Sequence, residues 1–183
     1  MKINVKKLVI ASLMLALAML LPQIFGRIQA LGSKFLPMHI PVLLCGFICG
    51  VRLGGLCGAL APLLCSLIFG MPPMYPMAFA MAFELCAYGA TAGVVKNIYK
   101  NANFKRNIVF LYISLIAVML SGRVVYGVVM IFIMLSKSQG YSFEVFMSSA
   151  FLSAIPGIIL QLILIPVILS TLSKLKLIED RYI

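Results

Sequence analysis

From Leu8 to Leu172 the chain is a succession of apolar runs, each about as long as a bilayer is thick, broken by short stretches of Lys, Arg, Gly, Pro or Asn. A hydrocarbon core needs ~20 mostly apolar residues per helix. Six such spans take roughly 120 residues, so a chain of 183 residues keeps short loops and has no room for a second domain. Only 10% of the residues are charged, against roughly a quarter in an average soluble domain. A chain of this kind cannot clothe a globular surface in water. The expectation is an all-α integral membrane protein, a bundle of six transmembrane helices that forms one domain over residues 1–183.

The breaks give the helix limits. The first helix covers residues 8–25. Its apolar run exceeds the ~7–15 residues of a secretion-signal core and no small-residue cleavage site follows, so it reads as an uncleaved span. Residues 35–69 would make one helix ~50 Å long, too long for a bilayer. Their single charge, Arg52, divides them into helix two (36–51) and helix three (53–69). The Gly70-Met71-Pro72-Pro73-Met74-Tyr75-Pro76 segment breaks the chain again. Helix four covers 77–95, a polar linker 96–106, and helix five 108–135. After a polar loop (137–144), in which Ser142 is a suitable N-cap, helix six covers 145–172 with Pro156-Gly157 and Pro166 as kinks. Gly46, Gly50, Gly54 and Gly58 recur every four positions. That spacing allows close backbone approach and points to a tight hairpin of helices two and three.

Charge gives the orientation. With the N-terminus inside, the inner segments hold eleven Lys and Arg and the outer loops only three: Arg27, Lys34 and Lys137. This bias places both termini in the cytoplasm. The net charge of +11 is spread in small clusters between apolar stretches, which is a membrane-topology pattern and not a nucleic-acid face. The five cysteines all lie in apolar runs without a CxxC pair, as small packing residues do.

Ionisable groups inside a membrane are costly and point to function. Counted from the inner helix ends, Glu84 lies ~18 Å deep, Arg123 ~24 Å, His39 and Gln161 ~20 Å, and Ser66 ~21 Å. Five helices thus carry a polar side chain at one level, in the outer half of the bilayer. Two readings are open. In one, a cup faces outward, with Arg123 meeting an anionic ligand group, the others tuning specificity, and Tyr88 and Tyr126 stacking on a flat ligand. In the other, Glu84 and Arg123 form an internal ion pair that only satisfies two buried charges.

No HExxH, GxSxG or paired acidic motif is present, so no catalytic residue, metal site or cofactor is expected. A lipid-modifying enzyme and a ligand-free scaffold subunit are the alternatives to transport. No phosphate-binding GxxxxGK[ST] loop is present either, so ATP-driven transport would need a separate ATPase.

The run from Leu36-Pro37-Met38-His39-Ile40-Pro41 to Gly50 resembles the substrate-binding S components of energy-coupling factor (ECF) vitamin transporters. So do Pro62 to Pro73, Ala80-Met81-Ala82-Phe83-Glu84-Leu85 with Tyr88-Gly89, Gly122-Arg123-Val124-Val125, and Ala154 to Gln161. The resemblance implies six helices with cytoplasmic ends and an outward-facing pocket for a vitamin or related micronutrient. It also implies residence in a prokaryotic plasma membrane, among lipid, with a coupling transmembrane subunit and two ATPase subunits as partners. In that family an Ala-xxx-Ala type face of the first helix docks on the coupling subunit. The matching spacing here is Ser12-xxx-Ala16. A carboxylate vitamin such as pantothenate suits Arg123.

Overall fold

In hydrocarbon, a chain satisfies its backbone N–H and C=O groups only as helices or as a closed barrel. The computed structural model describes residues 5–26, 36–101, 108–136 and 155–175, and among them the apolar runs are helical, with no strand. The elements are α1 (Val5–Gly26), α2 (His39–Cys49), α3 (Val51–Phe69), a π-helical turn (Met74–Ala78), α4 (Phe79–Asn101), α5 (Ile108–Ser136) and α6 (Ile155–Lys174). Among the described residues, five segments are long and apolar enough to cross a membrane. The sixth, α2, has 11 residues and is only ~16 Å long, shorter than the 36–51 expected. The loops at 27–35 and 137–144, the Ser142 cap and the expected start of the last helix at 145 lie outside the described residues.

Two limits differ from expectation for identifiable reasons. The break between α2 and α3 falls at Gly50 and not at Arg52. Gly50 adopts φ 98°, ψ −177°, a region open essentially to glycine alone, and Arg52 sits exposed in the first turn of α3. Gly50→Ala is expected to cost about 1–3 kcal/mol through backbone strain. Nothing lies within 4 Å of the added methyl, so a lowered unfolding midpoint in detergent would report the dihedral and not a clash. The second difference is that α4 does not stop at Val95. Lys96, expected in a linker, donates from Nζ to the Ile48 carbonyl at the end of α2. Unpaired carbonyls gather at a helix C-terminus and favour a cation there.

The glycines make more than the expected hairpin. Gly46, Gly54 and Gly58 meet α4 as well, where Gly89 and Gly93 complete the seam. A Cβ on Gly89 would strike the Gly54 carbonyl, one on Gly58 the Leu85 carbonyl, and one on Gly93 the Val51 nitrogen. Between α2 and α3, a Cβ on Gly54 would lie 2.6 Å from the Gly46 Cα. The three helices α2, α3 and α4 thus touch backbone to backbone.

Against this trio, α1 packs on α2 and α3, α5 on α4, and α6 on α2 and α5. The buried Ala11 and Ala18 face α1 into the bundle. Thiols add polar contacts: Cys49 Sγ donates to the Lys7 carbonyl (3.4 Å) and Cys65 Sγ to that of Met19 (3.9 Å), while Gln23 Nε2 donates to Cys65 Sγ (3.4 Å). All five cysteines are free. Leu13, Leu20, Ile113, Leu120 and Ile163 point outward, which suits hydrocarbon and would be costly in water.

Candidate functional site

The turn that enters α2 fixes the first side chain of the site. Leu36 takes a left-handed conformation, φ 48°, uncommon for a residue with a Cβ, and its carbonyl accepts from the His39 N–H at 3.0 Å. His39 is thereby placed at the start of α2 and directed inward, with 1% of its surface exposed. From the adjacent α4 comes Glu84, 2% exposed, and from α5 comes Arg123.

These three meet. Arg123 Nη1 lies 3.0 Å from Glu84 Oε1, and His39 Nε2 lies 3.5 Å from the same oxygen. Tyr88, one helical turn beyond Glu84 on the same face, places its ring edge-on to His39 with centroids 5.2 Å apart. The ring fits because residue 122 of α5 has no side chain: a Cβ there would sit 2.7–2.8 Å from three Tyr88 ring carbons. One turn further along α4, Ser121 Oγ donates to Thr91 Oγ1 (3.2 Å) and ties α5 to α4 beside the cluster.

Short distances do not make this a finished network. Glu84 Oε1, both His39 ring nitrogens and Arg123 Nε are buried with no aligned hydrogen bond, so the ion-pair contacts are close in distance but poor in direction. Unmade hydrogen bonds at buried polar atoms are expensive. A cluster left in this state is suited to a polar ligand that completes it. The Gln161 side chain on α6 is in the same condition, 1% exposed with neither amide atom hydrogen-bonded.

The structure therefore brings His39, Glu84, Tyr88 and Arg123 together. Gln161 is buried on a helix that packs on α2 and α5, unpaired but without a hydrogen bond or ion pair to the four. Ser66 is buried near the end of α3, where its carbonyl accepts from Gly70 N–H. Tyr126 is half-buried and packs against the separate apolar group of Ala80, Met130 and Ile133. On α1, Ser12 and Ala16 are both exposed, and Ser12 Oγ turns back to the Leu8 carbonyl (3.0 Å). Among the described residues no group of three His, Cys, Asp or Glu side chains is placed to hold a metal. Sequence reasoning missed Gly122 and the Ser121–Thr91 bridge. The signal for the first was a glycine directly preceding Arg123, a charge deep inside a span.

A family model described as ECF transporter, substrate-specific component, matches residues 6–169. No curated protein and no solved structure matches the chain.

Proposed function

This chain belongs to the substrate-specific components of ECF transporters, and from that premise we propose that it captures a small carboxylate vitamin, pantothenate first among them, at Arg123. It is a transport subunit and not an enzyme. The observation that carries the substrate reading is Arg123 itself, a buried guanidinium with an unmatched Nε donor. The planar fork of an Arg matches a carboxylate with two parallel hydrogen bonds. Glu84, His39 and Tyr88 line the same position, Gln161 offers an amide from α6, and Ser66 and Tyr126 shape the approach. Six spans with cytoplasmic termini in a prokaryotic plasma membrane fit the charge asymmetry of the sequence. The exposed Ser12–Ala16 face of α1 is the surface we assign to the coupling subunit, which with two ATPases would supply the energy.

A thermal-shift panel on the purified protein, run with pantothenate and the other B vitamins, tests this. A ligand at a hundred times its Kd stabilises the folded state by about 2.7 kcal/mol, so the true substrate should raise the unfolding midpoint by several degrees. A flat response to every vitamin would overturn the reading.

A further inference from the structure

Arg123 is not waiting empty: Glu84 already sits on it at 3.0 Å. An incoming carboxylate must share or take over that cation, and a buried Glu84 then loses its counter-charge. Two carboxylates against one guanidinium leave an uncompensated negative charge in a low-dielectric site, which is strongly unfavourable. The second base in reach is His39, whose Nε2 is 3.5 Å from the same Glu84 oxygen and whose two nitrogens have no hydrogen-bond partner.

Building on the carboxylate reading above, we infer that the ligand's carboxylate enters together with one proton, held by the His39–Glu84 pair. Before binding, Glu84 pairs with Arg123 and the site is neutral. After binding, the ligand's carboxylate pairs with Arg123, a proton from water resides on the Glu84–His39 pair, and the site is neutral again. Among the described residues, nothing else on the elements packed against α4 takes this role. From α2 the titratable group is His39, from α5 it is Arg123, and on α4 itself it is the neutral Tyr88 hydroxyl. On α3 the sole charge, Arg52, is exposed, Cys57 is a buried thiol, and Cys65 Sγ accepts from Gln23; the π-helical turn packed on α4 carries Tyr75, which is exposed. The polar group of α6 at this level is the Gln161 amide, which does not titrate.

The inference is read by calorimetry on the full-length protein with pantothenate, in buffers of different ionisation enthalpy at one pH. About one proton should be taken up per ligand, and affinity should fall about tenfold for each unit of pH rise above neutrality, because the bound state holds the extra proton. Glu84→Gln keeps the shape and removes the charge that the proton must neutralise. It should bind pantothenate without proton uptake and without that pH slope. His39→Asn should weaken the slope as well; if it fails to fold, Glu84→Gln carries the test alone. Tight pantothenate binding with no proton uptake in the wild type would overturn the inference and leave the proposed function standing. Failure of every carboxylate vitamin to bind, or capture of a neutral vitamin instead, would overturn the carboxylate reading and the inference with it.

Discussion

Arg123→Ala is expected to abolish capture of a carboxylate and to destabilise the protein by about 3–5 kcal/mol, the cost of leaving one member of a buried ion pair unpaired. The stability loss alone would not identify a ligand site, because a purely structural Glu84–Arg123 pair predicts it too. A paired variant separates the two. Replacing both Glu84 and Arg123 by Met removes both charges at similar volume, and such replacements of buried pairs are often neutral or stabilising. The double variant should therefore recover most of the lost stability while its affinity for the carboxylate stays abolished. Chemical or thermal unfolding in detergent gives the first quantity and calorimetry the second. Wild-type affinity in the double variant would dismiss Arg123 as a ligand group and leave the pair as internal scaffolding.

The second large effect belongs to the backbone seam. Gly89→Val is expected to prevent assembly of the bundle. A Cβ at residue 89 would overlap the Gly54 carbonyl, and a backbone atom cannot move aside as a side-chain tip can. Overpacking in a yielding core costs ~1–3 kcal/mol. Here the obstacle is another helix's main chain, and the branched side chain adds further atoms to the clash. Size-exclusion profiles should show aggregate in place of a monodisperse species. Gly50→Ala, which adds a methyl where nothing stands within 4 Å, is the matched control and should remain monodisperse. A well-behaved Gly89→Val protein would mean that α3 and α4 do not approach as closely as described.

The spans were readable because run length and hydropathy are local properties, and α5 begins at Ile108 as expected. The limits that shifted did so for tertiary or conformational reasons. Lys96 is polar enough to suggest a linker, yet its amine finds the Ile48 carbonyl on another helix. At the α2–α3 break the one charge drew attention, whereas the turn is made by the neighbouring glycine's φ of 98°. In the site, a depth count from the helix ends grouped His39, Glu84 and Arg123, and these do meet. Depth says nothing of rotation about a helix axis, which packing sets. That is why Tyr126, three residues after Arg123, lies with Ala80, Met130 and Ile133. It is also why Gly89 and Gly93 went unnoticed as partners of the α2–α3 glycines.

The glycine seam bears on where this molecule can give. Separating α2, α3 or α4 means parting main chain from main chain along several turns, and no rotamer change can compensate. The α4–α5 boundary is of another kind, a ring lying over Gly122 and one pair of hydroxyls, which side-chain torsions can rearrange. Glu84 and His39 therefore stand on the stiff part of the bundle and Arg123 on the compliant part. The ion pair between them ties that boundary together, and under the proposed function it is the contact for which an incoming carboxylate competes.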